Sequence, residues 1–389
     1  MKKTIMMAVS LLLVLTGCAP NFSKQEEVIQ DDENSNETAI IPNYKISDDY
    51  YKTLLPFEPS EARGLVVNNI NTKYDLTEFE TGLMRVAQNS FDTDSYFFQE
   101  GQFLDSSTVR SWLNRKFTPA QLAERNLEEA DNVGLNPLDD EKGDIDERNT
   151  KSPIYLAHIL EHNYRIKGEG DTVTLGGVVI GLALNSVHYY QKEQYGATYE
   201  TDIKRSVLEA EGKKMAAEVL TRLRGMDELK DVPITIALFE QASRTSVVPG
   251  NFIAYAEAGK GSGKLSEWKN VAEKYVLFPS SDAETNHRDD NTAFKNFKQD
   301  IEAYFPNFNG VIGKAFYAGD QLQDLNIDIP IQFYGKAESI GFAQYTASLI
   351  MKHFPEYISV QVNITSVNGP EALIVRKPDD TEPFVHIYD

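Results

Sequence analysis

The 389-residue chain has a single cysteine, Cys18, so no intramolecular disulfide can form. Its fold must be held by core packing without covalent staples. Beyond the first fifteen residues no apolar run approaches the length needed to cross a bilayer, which excludes a downstream transmembrane helix. Positive charge is scarce as well: 38 Lys and Arg against 59 Asp and Glu give a net charge of −21. Nucleic acid and anionic headgroups repel such a chain, and neither is an expected partner. No G-x-S-x-G occurs, so the nucleophile elbow of a serine hydrolase is absent. The glycine-rich residues 259–264 fail as a phosphate loop, because Ala258 and Leu265 stand where glycine and Ser/Thr are required. No cofactor is expected.

What is present begins at the first residues. Lys2 and Lys3 precede an apolar run over residues 5–15, too short for a permanent membrane helix and matched to a secretory signal. The run ends in Leu15, Thr16, Gly17 and Cys18, which resembles a bacterial lipobox. In that resemblance the Cys18 thiol carries diacylglycerol and a signal peptidase cuts before it. Two acyl chains suffice for stable anchoring. The expected location is the extracytoplasmic face of the cell membrane, with the membrane and the lipoprotein-processing enzymes as partners.

The rest divides by composition, and 41% hydrophobic residues fit a globular chain. Residues 1–17 read as the signal and 18–50 as a flexible acidic tether. Residues 51–258 form an N-terminal domain, 259–264 a hinge, and 265–389 a C-terminal domain. Thr118, Pro119 and Gln121 give an N-cap, a first-turn proline and a capping box, predicting a helix to about residue 131. Residues 127–151 read as an exposed acidic insertion, with Asn136-Pro137 as a turn. Strands are predicted at 172–184, 232–239 and 251–258, with a helix from Ile203 to Leu223 between the first two. After the hinge come helices at 265–274 and 291–304 and an alternating strand at 325–333. A helix carrying Ile340 to Phe354 and strands at 358–364, 372–375 and 384–388 complete the chain. Both halves run strand, long helix, strand, turn, strand. The predicted fold is α+β: two related small units, each a mixed sheet with a long packed helix, plus extra N-terminal helices. Duplication and convergence both fit that order.

The sharpest catalytic pattern is His158, Glu161 and His162, an H-x-x-E-H that on a helix would set two zinc ligands one turn apart. The competing reading places Tyr155, Leu156, Ile159, Leu160 and Tyr164 on an apolar stripe and leaves His158, Glu161, His162 and Arg165 on a solvated face. No third ligand is recognisable, so no metal site is expected. Asp139, Asp140, Glu141, Asp144, Asp146 and Glu147 lack the ordering of a calcium loop and read as a solvated acidic loop. Tyr189, Tyr190, Tyr195 and Tyr199 could stack on sugars or peptides, although packing explains most of them.

Several segments in joint order carry a family resemblance: Tyr51-Lys52-Thr53-Leu54-Leu55-Pro56-Phe57, Ala62-Arg63-Gly64-Leu65, Gly101-Gln102-Phe103-Leu104-Asp105 and Gly134-Leu135-Asn136-Pro137. Ile180-Gly181-Leu182-Ala183, Asn185-Ser186-Val187, Phe278-Pro279-Ser280-Ser281 and Phe384-Val385-His386-Ile387-Tyr388-Asp389 continue it. With the lipobox, they resemble the CamS-type sex pheromone lipoproteins of staphylococci and related Gram-positive bacteria. The resemblance implies a short peptide cut from just before the lipidated cysteine, exported to induce conjugative plasmid transfer by enterococci. The matching residues are Leu11, Leu12, Leu13, Val14, Leu15, Thr16 and Gly17. It implies a non-enzymatic mature protein of undefined ligand. The rival readings are an extracytoplasmic binding module for a wall component, peptide or solute, and, third, a zinc peptidase at His158 and His162.

Overall fold

The computed structural model describes residues 26–32, 35–304 and 310–389. The first unit opens with a hairpin of β1 (Glu26–Asp32) and β2 (Ser35–Ile41), followed by β3 (Lys52–Thr53). Helices α1 (Arg63–Asn69) and α2 (Lys73–Ala87) lead to β4 (Tyr96–Glu100). The short helices α3 (Ser106–Leu113), α4 (Pro119–Arg125) and α5 (Ile145–Lys151) fill the connection to β5 (Leu156–Lys167) and β6 (Thr172–Asn185). A hairpin of β7 (Val187–Gln191) and β8 (Thr198–Asp202) precedes the long helix α6 (Arg205–Leu223). Strands β9 (Ile234–Gln241), β10 (Asn251–Ala258) and β11 (Lys269–Asn270) close the unit. The second unit runs β12 (Glu273–Phe278), α7 (Ser281–Asn286), α8 (Arg288–Tyr304), β13 (Ile312–Ala318) and β14 (Gln321–Pro330). It ends with α9 (Lys336–His353), β15 (Ser359–Ser366), β16 (Gly369–Arg376) and β17 (Phe384–Ile387).

The α+β expectation holds, and the repeated order is closer than the sequence suggested. The first sheet runs β11-β10-β9-β6-β5-β4-β3, and the second runs β12-β13-β14-β15-β16-β17. In each, one central parallel pair, β6 with β9 or β14 with β15, is bridged by the long helix. Antiparallel neighbours flank both pairs in the same succession.

Covering differs between the sheets. Strand β6 is buried on both sides: Val178, Ile180 and Leu182 pack under α6, whereas Val179 and Ala183 meet Phe79 and Leu83 of α2. That two-sided burial is why its sequence is nearly continuous in apolar residues. The second sheet buries one face, Val360, Val362 and Ile364 lying with α8 and α9, while Gln361 and Asn363 on the other face are only half-buried. Helix α6 gets close to its sheet at Gly212, where a Cβ would lie 2.8 Å from Leu184 Cδ1 and 3.1 Å from Leu238 Cδ1.

Five expectations need correction. The acidic tether is partly folded: Val28, Ala39 and Ile41 bury against Leu54, Phe97 and Val173, and the Ile29 N–H donates to the Asp171 carbonyl (2.6 Å). A small apolar set on two strands is enough to dock residues 26–32 and 35–41. Residues 259–264 are not a hinge but a turn within the first unit, between β10 and β11. Arg224 holds them there, donating to the Gly259 and Ser262 carbonyls at 2.9 Å each. The units join instead at Val271-Ala272. Residues 265–274 are not helical: Leu265 and Trp268 pack against the first core from an extended segment, and the chain continues as β11 and β12. The helix at Pro119 ends at Arg125 because Asn126 is left-handed (φ 56°), although the capping box forms as expected. Inside the supposed insertion, Asn136 is fully buried: its amide donates to the carbonyls of Leu113 (2.8 Å) and Leu156 (2.9 Å) and accepts the Leu156 N–H (2.8 Å).

Two helix glycines separate these effects. Replacing Gly212 with valine should lower unfolding stability by about 1–3 kcal/mol through overpacking. Replacing Gly341, exposed on α9 with no atom near a new Cβ, with alanine should raise it by about 0.5–1 kcal/mol. Urea unfolding midpoints of the two variants against the parent check both signs.

Candidate functional site

The residues of the candidate zinc motif lie on a strand. His158, Glu161 and His162 belong to β5, where side chains alternate sides, so the two histidines share one face and Glu161 takes the other. The strand periodicity thus separates the three groups that a helix would have gathered. None is solvated, contrary to the expected polar face: His158, Glu161, His162 and Arg165 are all buried. Glu161 accepts the N–H groups of Gln102 (3.0 Å), Phe103 (3.2 Å) and Leu104 (2.7 Å), tying down the loop after β4. Gly101 makes room for this, since a Cβ there would collide with the Glu161 side chain. The His162 ring meets the Phe98 ring edge-on, with centroids 4.9 Å apart, and Arg165 donates to Gln99 Oε1 (2.9 Å). Burial lowers the His158 pKa to about 4 and the His162 pKa to about 3, so both rings are neutral. The cavity beside His158 measures about 20 Å³, room for roughly one water.

The other motif residues are dispersed. Asp139 accepts a two-pronged contact from Arg148 (3.0 and 2.7 Å), Asp144 caps α5 by accepting the Glu147 N–H (2.9 Å), and Asp146 accepts from the Tyr190 hydroxyl (2.7 Å). Tyr190 and Tyr199 stack within the β7–β8 hairpin, whereas Tyr195 at its tip is exposed. Leu11, Leu12, Leu13, Val14, Leu15, Thr16, Gly17 and Cys18 lie outside the described residues. Among the described residues no helix is long and apolar enough to cross a membrane.

No local pattern signals the charged joint between the units. Arg85, on α2, donates to Glu78 on its own helix (2.5 Å) and reaches across to Glu273 of β12 (3.0 and 2.7 Å). Its guanidinium lies over the Phe316 ring at 4.7 Å, and the Tyr275 hydroxyl donates to Glu78 (2.5 Å). One arginine serves two carboxylates. Burial alone would lower its pKa, but Glu273 and Glu78 raise it and keep it charged. Burial also pushes Glu78 up, against the pull of Arg85 and Tyr275, because Glu78 is the deeper of the two carboxylates. This joint borders a cleft of about 460 Å³ between the units, open to Asp49, Tyr50, Asp324 and Asn326. Asp324 is pushed up by burial and by Asp49. The cleft therefore presents carboxylate acceptors beside aromatic rings, an arrangement suited to a ligand with hydrogen-bond donors.

Two measurements follow. His162 has a folded pKa near 3 against 6.5 for the free side chain, so the unfolded chain binds a proton the fold refuses, and stability is lost as pH falls from 6.5 towards 3. At pH 5 this one group contributes a slope of about 1.4 kcal/mol per pH unit. In His162→Phe the slope of unfolding free energy against pH should be shallower by that amount. Arg85→Met should cost about 3 kcal/mol by stranding the buried Glu78 carboxylate. Since Glu78 is shifted upward, and further so without Arg85, that deficit should shrink as the pH falls towards and below 4.5, where the carboxyl is protonated. Chemical unfolding at pH 7 and pH 4 reads both.

Comparison with known proteins places this architecture. Residues 57–382 match the family described as CamS sex pheromone cAM373 precursor. The C-terminal domain of the sex pheromone staph-cAM373 precursor from Staphylococcus aureus is similar at 38% identity, covering 82% of this chain and 98% of that one, with a TM-score of 0.72. A sex pheromone precursor from Lactobacillus salivarius is similar at 31% identity, covering 89% and 98% with a TM-score of 0.79. No curated protein matches the chain. On the strength of these matches, the chain belongs to the CamS family of sex pheromone precursors.

Proposed function

We propose that the chain is made as an exported lipoprotein, anchored at Cys18 on the extracytoplasmic face of the membrane, whose signal yields a pheromone-like peptide. The observation that carries this is the lone cysteine at the end of Leu15-Thr16-Gly17, directly after a signal-like apolar run and upstream of a folded CamS body. The released peptide would be residues 11–17, with no charged side chain to hinder its passage into an apolar receptor pocket. The folded body supports a non-enzymatic reading, because His158, Glu161 and His162 are committed to packing and to loop hydrogen bonds. The docked hairpin adds a geometric consequence. Residues 19–25 separate Cys18 from the start of β1 at Glu26, a distance of at most about 29 Å when extended, so the first unit would be held close to the membrane.

A second reading, a binding module, draws on the cleft at the joint. Its volume lies within the range of small-molecule sites, and Asp49 and Asp324 offer acceptors to a peptide or solute.

Cys18→Ser should move the protein from the membrane fraction to the medium and abolish incorporation of labelled fatty acid. Retention with unchanged labelling would end the lipoprotein proposal. Synthetic LLLVLTG applied to pheromone-responsive recipients should raise plasmid transfer, and no response in any recipient would remove the pheromone half alone.

A further inference from the structure

At the carboxyl ends of the parallel strands β6 and β9 lies a polar cavity of about 360 Å³, separate from the cleft at the joint. Its floor is a set of interlocked carboxamides. Gln241, the last residue of β9 and fully buried, donates to Asn185 Oδ1 (2.6 Å), its register partner at the end of β6. Gln241 Oε1 accepts the Asn71 N–H (2.9 Å), Asn71 Nδ2 donates to the Ala242 carbonyl (2.9 Å), and Asn185 Nδ2 donates to the Ile154 carbonyl (3.0 Å). The buried glutamine thereby fixes both asparagines from behind. His188, also on the wall, is neutral: burial lowers its pKa to about 4, and its Nε2 lies 2.8 Å from Asn149 Oδ1.

Arg244 completes the wall. Its guanidinium lies 4.2 Å over the Tyr189 ring, its backbone N–H donates to the Tyr189 hydroxyl (3.1 Å), and its Nε is 3.4 Å from Asn71 Oδ1. Among the described residues no carboxylate pairs with it, in a chain carrying 21 excess negative charges. An arginine held by an aromatic face, with no partner on its outer nitrogens among the described residues, is pre-arranged for two-pronged contact with a carboxylate. The crevice outside the carboxyl ends of parallel strands is where open α/β sheets place ligands, and the cavity is large enough for a small one.

We propose that this cavity binds a small ligand bearing a carboxylate together with amide groups. The carboxylate sits on Arg244, and the amide groups meet Asn71 and the neighbouring Asn68 and Asn69. A peptide C-terminus and an N-acylated acidic sugar share this chemistry. The site is independent of the lipid anchor and of the cleft at the joint.

Isothermal titration of the full-length chain in detergent tests it, with four probes: tri-alanine, tri-alanine amide, N-acetylmuramic acid and N-acetylglucosamine. At least one of the two acids should bind at least tenfold more tightly than its uncharged counterpart, and which acid does so identifies the source. Arg244→Gln should weaken that probe at least tenfold, with Arg244→Lys intermediate. Both variants should stay folded, with thermal unfolding only slightly lowered, since the exposed side chain loses no more than the Tyr189 contact and a long hydrogen bond. Binding of neither acid, equal binding of acid and neutral partner, or undiminished binding by a folded Arg244→Gln would overturn the proposal.

Discussion

The parallel pairing of β6 with β9, in register from Val178↔Ile234 to Asn185↔Gln241, sets the terms for the rest of the molecule. Parallel neighbours cannot be joined by a tight turn, so the chain must leave the end of β6 and return over the sheet. Here it returns as α6, whose buried Leu208, Met215, Val219 and Leu223 cover one face. The opposite face, covered by α2, makes the strands apolar on both sides. In a chain without disulfides this two-sided burial supplies the stabilisation that staples would otherwise give. Each fully buried Val or Leu contributes roughly 1.5–3 kcal/mol against exposure. The second unit repeats the pairing and the covering helix but leaves one sheet face polar.

That repetition shows where topology stops and chemistry starts. At the carboxyl ends of the first parallel pair stand Asn185 and Gln241, and the corresponding ends of the second pair carry Pro330 and Thr365. A carboxamide ladder forms in one and not in the other. The same backbone order therefore supports a carboxamide-floored cavity in the first unit, because function resides in the residues grafted onto a fold.

What was legible from the sequence followed periodicity. The alternation at Leu325, Ile327 and Ile329 gave β14, and the apolar spacing of α6 gave the covering helix. Misreadings arose where two periods fit equally well. Leu265, Trp268 and Val271 stand three apart as on a helix, yet they pack from an extended chain against two different clusters. Around His158 an apolar stripe of helical spacing concealed a strand buried on both sides, whose polar members are satisfied by partners remote in sequence, such as Glu161 by the N–H groups of residues 102–104. Gly259 and Gly261 suggested a linker, and only the distant Arg224 shows why that turn is fixed. Arg85 and Arg244 carried no local signal at all, and Asn136 only that of a turn, because each acts through partners brought close by the fold.

The charge balance decides how the polar sites can work. A body carrying an excess of negative charge repels an anionic ligand at long range, where electrostatics governs approach. Arg244 acts only at contact, within a distance that salt does not screen. A carboxylate reaching it must therefore be retained by additional hydrogen bonds to the amides around it. A simple anion such as acetate lacks those bonds and meets the same repulsion. The cavity's amides and the molecule's acidity thus act together: one rejects bare anions, and the other rewards a ligand whose shape extends past its charge. The joint between the units has the opposite polarity, since Arg85 is already engaged by Glu78 and Glu273 and the cleft's remaining charged groups, Asp49 and Asp324, are acceptors. Two cavities of opposite demand on one chain therefore select different groups, a carboxylate in one and hydrogen-bond donors in the other.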